Sequence, residues 1–176
     1  MRDVYKVAKY FVKNDADSLP NTNEGNMKLQ SLLVFANMIN VAEYGELLFD
    51  DEVYVFKNGW FVGRVRLHHE TDYSGLKRDS DIVELDFTDS EYAVLNMIMS
   101  IFGSASAREL SEITHTLNFW KETDCFYKRN SFANMMLYDE EIDRIKEIIN
   151  AYLESLKDVM VREIINGISF FMMDFN

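Results

Sequence analysis

His68, His69 and Glu70 are the first residues of this chain whose types suggest chemistry, because imidazole and carboxylate together ligate divalent metals. Adjacent side chains point apart in a strand and about 100° apart in a helix, so the pair would need remote ligands to close a site. The structural reading is preferred. Cys125 and His115 form a second candidate, a thiol with a base ten residues earlier. Thiolate catalysis needs that base close in space, and a lone cysteine is more often an inert buried thiol. The carboxylates Asp139, Glu140 and Glu141 read as the solvated first turn of a helix, where negative charge favours the dipole, and not as a paired acid and base.

Spacings that carry chemistry through a fixed geometry are missing from the sequence: there is no HExxH, P-loop, EF-hand or GxSxG pattern. Gly59-Trp60-Phe61-Val62-Gly63 has the glycine spacing of membrane helix dimers without the long apolar context that gives it meaning, so it reads as turn and strand. The methionines at 97, 99, 135 and 136 read as plastic core filler. No metal, no cofactor and no enzymatic activity are expected from these residues.

The elements that would position any site follow from periodicity. Val4, Val7, Ala8, Phe11 and Val12 recur at helical spacing with lysines between them, which predicts an amphipathic helix ending by Asn14. A polar loop with Asn23 or Asn26 as cap leads to a central helix over 27–44, closed by Gly45. Val53–Phe56 and Trp60–Val62 flank Lys57-Asn58-Gly59, a hairpin signal. Residues 68–81 read as an exposed, mobile, charged loop. Thr88-Asp89-Ser90-Glu91 is a capping box opening a helix to Phe102, and Ser106–Thr116 is a further short helix leading to Phe119 and Trp120 in a buried turn. Residues 138–165 predict one long or one broken C-terminal helix with Ile142, Ile145, Ile149, Tyr152, Leu156 and Val159 on one face. The fold expected is mainly α, one compact helical domain over 1–176 with a small β element near 52–66. Leu29, Leu32, Leu33, Phe35, Leu95, Ile98, Leu110, His115 and Trp120 are placed at or near its core.

Composition narrows the function classes. Of 176 residues 48% are hydrophobic and 14% aromatic, enough to fill one core. The net charge of −12 disfavours nucleic acid, whose phosphates call for Lys and Arg, and favours a partner with a basic surface. Residues 1–66 carry 8 Lys/Arg and 9 Asp/Glu, residues 67–176 carry 10 and 21, so the acidity belongs to the second part. The lone cysteine fits a reducing compartment, and with no signal-peptide pattern and no membrane-spanning apolar run a cytoplasmic location is expected.

Several segments, taken in order, resemble the Panacea family of SocA-like antitoxins and phage-associated proteins. They are Val7-Ala8-Lys9-Tyr10, Met27-Lys28-Leu29-Gln30-Ser31-Leu32-Leu33-Val34-Phe35, Tyr44-Gly45-Glu46-Leu47-Leu48-Phe49, Phe87-Thr88-Asp89-Ser90-Glu91, and the stretch from Gly103 through Leu110, Thr114 and His115 to Trp120. The likeness spans residues 4–145 and leaves 146–176 as a helical extension. It departs where the family has an aromatic followed by Gly-Pro-Val and this chain has Phe56-Lys57-Asn58-Gly59-Trp60-Phe61. The resemblance implies a protein that neutralises a toxin by direct contact or, as a proteolytic adaptor, delivers it to a protease. The alternatives are a phage-encoded inhibitor of a host protein and a hydrolase using the His115 region with Lys28 or Gln30 orienting substrate. The partner-facing residues expected are Phe56, Trp60 and Phe61 of the hairpin, Asp79, Asp81 and Glu84 of the acidic segment, and Phe170 and Phe171 of the aromatic tail. That tail either folds back on the core or, with the C-terminal helix, meets a second copy.

Overall fold

The computed structural model describes residues 2–14, 21–56, 59–82, 86–116 and 129–130, and in the C-terminal region 143, 146, 147, 150, 151 and 154. Helices α1 (Val4–Asn14), α2 (Asn23–Tyr44), α3 (Gly63–Ile82), α4 (Asp89–Phe102) and α5 (Ala107–Thr116) surround a small sheet of β1 (Val53–Phe56), β2 (Gly59–Val62) and β3 (Arg129–Asn130). The architecture is mainly helical, as the periodicities predict. None of the described helices is long and apolar enough to cross a membrane.

α2 is the axis of the fold. Its 22 residues carry an almost unbroken buried run from Gly25 to Asn40, because α1, α3, α4, α5 and β2 all pack around it. A helix enclosed on every side is apolar all round and not along one stripe. Leu29, Leu32, Leu33, Ile39 and Met38 therefore form a single cluster with Phe11, Leu48, Phe49, Leu95, Ile98 and Leu110. The α2 start differs from expectation: Thr22 is the cap, its hydroxyl accepting the Gly25 N–H at 3.1 Å, and Asn23 and Asn26 lie inside the helix. Its end is as expected, with Gly45 at φ 71°, a left-handed conformation that costs glycine nothing.

β1 and β2 pair antiparallel, with Val53 opposite Val62, Tyr54 opposite Phe61 and Phe56 opposite Gly59. β3 adds a third strand on the other edge of β1, pairing Val53 with Asn130. Sequence pattern does not reveal β3, since two residues carry no period.

The largest correction concerns 68–81, which belongs to α3 and is not a loop. Asp72 leaves the helical conformation (φ −146°, ψ 56°) and its carboxylate accepts the Gly75 N–H at 2.9 Å. Asp72 thus caps a second helical segment within α3. A Cβ at Gly75 would collide with that carboxylate, so the glycine marks a close approach and not a loop. His69, Gly75 and Leu76 are buried, which anchors a segment whose composition alone looks solvated.

The expected capping box stands at α4, and α5 opens on a second one that was not expected. Thr88 and Glu91 satisfy each other's backbone N–H groups at α4, and Ser106 and Glu109 do the same at α5. Leu29, Leu32, Leu33, Phe35, Leu95, Ile98 and Leu110 are buried, and His115 is half-buried at the end of α5. Trp120 lies outside the described residues. Of the predicted C-terminal helix, positions 143, 146, 147, 150, 151 and 154 are helical and largely exposed, consistent with its polar face, and its other residues lie outside the described set.

Candidate functional site

Three consecutive residues of α2 explain how a surface is held in place beside the hairpin. Successive helical side chains point about 100° apart, so Lys28, Leu29 and Gln30 reach three different neighbours. The Lys28 ammonium donates to the Gly103 carbonyl, neutralising the negative end of α4. Leu29 is fully buried in the core. Gln30 turns to β2, where its Oε1 accepts the Val62 N–H at 2.7 Å. The middle of the same helix fixes the next loop. Asn37, 0% exposed, accepts the Leu48 and Phe49 N–H groups at 2.7 and 3.3 Å and donates to the Phe49 carbonyl at 2.8 Å. Asn40 donates to the Glu46 carbonyl at 2.7 Å. Leu33, Phe35, Gly45 and Phe49 complete this frame, Phe35 stacking on Phe102 at 4.9 Å.

Against this frame lies a half-open cavity of about 280 Å³, between the start of α2, β2 and the start of α3. Asn23, Asn26, Met27, Gln30 and Ser31 line it from α2, Gly59, Trp60 and Phe61 from β2, and Arg66 and Glu70 from α3. The orientation of its carboxamides is fixed by a chain of hydrogen bonds. A backbone N–H can only donate, so the Gln30 atom facing Val62 is oxygen and its Nε2 must donate onward. That Nε2 donates to Asn26 Oδ1 at 3.0 Å, which turns Asn26 Nδ2 the other way. Asn26 is 6% exposed and no described residue takes up its Nδ2. Ser31 donates its hydroxyl proton to the Met27 carbonyl at 3.1 Å, leaving its oxygen to accept.

The rim is aromatic and ionic. Tyr54 and Phe61, paired across the strands, stack at 5.1 Å with their planes 10° apart. The Arg66 guanidinium lies 4.8 Å above the Phe61 ring and its Nε donates to Glu70 at 2.9 Å. At that separation the two charges cancel, so the rim carries little net field.

Of the residues expected to face a partner, Phe61 is half-buried at this rim and Trp60 lines the cavity at 4% exposure, so Trp60 offers no flat outer surface. Phe56 ends β1, and Asp79 and Asp81 lie on the last turn of α3. The side chains of Phe56, Asp79 and Asp81, with all of Glu84, Phe170 and Phe171, fall outside the described residues. Thr114 is buried and donates to the Leu110 carbonyl at 2.9 Å, a helix-internal role. Arg66 carries no signal in the sequence, and Asn26 reads there only as a helix cap. The available signal was a run of polar residues, Asn26, Lys28 and Gln30, inside an otherwise apolar helix.

The histidines separate. His68 packs against the Tyr5 ring at 5.2 Å, whereas His69 is buried against Tyr73 at 4.8 Å. Burial pushes the His69 pKa below the ordinary imidazole value, outweighing the opposite pull of Glu70. Among the described residues no three His, Cys, Asp or Glu side chains gather as a metal site. At the far end, Arg2 donates to Glu91 at 2.7 Å while Glu91 also accepts from the Thr88 N–H. Burial raises the Glu91 pKa, but these hydrogen bonds outweigh it and hold the carboxyl below its usual range.

No known family, curated protein or solved structure matches this chain.

Proposed function

We propose that this chain is an antitoxin-like binding protein that captures another protein by direct contact through the β1–β2 hairpin and the first half of α3. The observation that carries the reading is the edge of the cavity, where Phe61 stacks on Tyr54 and lies beneath the Arg66 guanidinium, on a strand that Gln30 ties to α2. Tyr, Trp and Arg dominate binding energy in protein interfaces because they bring large area at low conformational cost. Leu67, 63% exposed, adds apolar surface on the same helix. The resemblance to the Panacea family supports the same class, and the net charge of −12 favours a basic partner, whose encounter it would accelerate. Lys28 and Gln30, which a hydrolase would use on substrate, are engaged with Gly103 and Val62.

Affinity capture from the host with the wild-type chain and with the Arg66→Glu and Phe61→Ala variants tests the proposal. A protein retained by the wild type and depleted about tenfold by both variants is the expected result, about 1.4 kcal/mol in affinity. If that protein arrests growth when expressed alone and this chain restores it, the partner is a toxin. Equal recovery by wild type and variants would remove the hairpin and α3 as the interface.

A further inference from the structure

His69 lies on the first half of α3 and is 1% exposed, packed on the Tyr73 ring at 4.8 Å. Its Nε2 has no hydrogen-bond partner among the described residues. Protonation puts a hydrogen on both ring nitrogens, so the imidazolium would bury a charged N–H with nothing described to accept it. Glu70, next in sequence and exposed, favours the charged ring but is outweighed by burial, and the Asp72 carboxylate is turned to the Gly75 N–H. α1 engages its Tyr5 with Arg64 and His68 and its Lys6 with Asp86, and among the described residues no charged group of α1, α2 or β2 bears on His69.

The backbone permits a response short of unfolding. Asp72 breaks the helix three residues on, and the segment beyond it has its own cap and its own buried anchor, Leu76. In the segment 63–71 the buried side chains are Val65 and His69, so the imidazole is half of what anchors it. The remaining ties, Arg64 to Asp51 at 2.8 Å and to the Tyr5 ring at 4.6 Å, come from an exposed residue and are readily exchanged for water.

We propose that His69 is an acid-sensitive latch: on gaining a proton it releases residues 63–71 from their neighbours while the second segment of α3 stays in place. Arg66 and Glu70 ride on the released segment, so the α3 wall of the cavity opens with it.

Amide hydrogen exchange of the full chain from pH 7 to pH 5, corrected for the intrinsic rate at each pH, tests the latch. An opening that exposes His69 takes up a proton that the closed state does not, so protection of the 65–70 amides should fall by up to about tenfold per pH unit below the ordinary imidazole value of about 6.5. The fall should be insensitive to low urea, the mark of an opening that exposes little surface, and should leave the Leu76 amide protected. His69→Leu should flatten the slope. Should that variant not fold, the comparison of the 65–70 amides with Leu76 in the wild type decides alone. Protection independent of pH, an equal slope in wild type and folded variant, or a loss at 65–70 that only accompanies Leu76 and α4 and steepens with urea would overturn the proposal.

Discussion

α2 and α3 both carry many polar side chains, and they use them in opposite ways. On α2 the polar groups reach other elements: Lys28 the end of α4, Gln30 the edge strand β2, Asn37 and Asn40 the loop after the helix. On α3 several stay within the helix, Arg66 with Glu70, Thr71 with the Leu67 carbonyl and Asp72 with the Gly75 N–H, while Arg64 reaches Asp51 and Asp3 from an exposed position. A buried polar group costs free energy unless it is bonded, so on the enclosed helix Lys28, Gln30, Asn37 and Asn40 become ties to other segments. On the helix open to water the same groups exchange one solvated partner for another and contribute little. The buried ties are therefore concentrated on α2, whereas the polar contacts of α3 are made largely at its exposed face.

The sharpest way to break this contrast is Asn37→Ala. It removes the Asn37 hydrogen bonds to two backbone N–H groups and a carbonyl in a buried place, and a loss of about 3 kcal/mol is expected in urea denaturation. Gln30→Ala should follow at about 2 kcal/mol, with hydrogen exchange at Val62 accelerated while α4 stays protected. On α3, Gly75→Ala drives a methyl group into the Asp72 carboxylate and should remove the cap, at about 1 kcal/mol. Loss of amide protection confined to the second segment of α3 would mark the effect as local.

The His69 effect is expected to be smaller and to appear as a slope. Its pKa is lower folded than unfolded, so below the ordinary value of about 6.5 the unfolded state binds the proton first. Stability should then fall as the pH drops from 7 to 5, more steeply in the wild type than in His69→Leu. Parallel pH profiles would show that His69 is not held neutral by burial. At the bottom of the scale, Thr71→Ala on the exposed face should change stability by no more than about 0.5 kcal/mol. A cost comparable with Gln30→Ala would collapse the distinction between the two helices.

Elements with a strong local signal were legible. Apolar spacing placed α1, glycine closed α2, the Thr88–Glu91 box opened α4, and Lys57-Asn58-Gly59 marked the hairpin. α3 was missed because its period is weak, and the Asp72–Gly75 cap inside it resembles the punctuation of a loop. The site was half visible. Phe61 and Trp60 stood out as large aromatics, whereas Asn26 and Arg66 gained meaning only from what lies opposite them.

By itself the sequence determined the helical class, the Gly45 and Thr88–Glu91 caps and the acidic composition, because each rests on interactions within a few residues or on composition alone. Tertiary structure decided that Lys28 ties α2 to the end of α4 and Gln30 ties it to β2, that Trp60 is buried, and that Asn26 lines a cavity. Those outcomes depend on partners 32 to 75 residues away, such as Val62 and Gly103, and no local pattern encodes the distance across which a chain returns to itself.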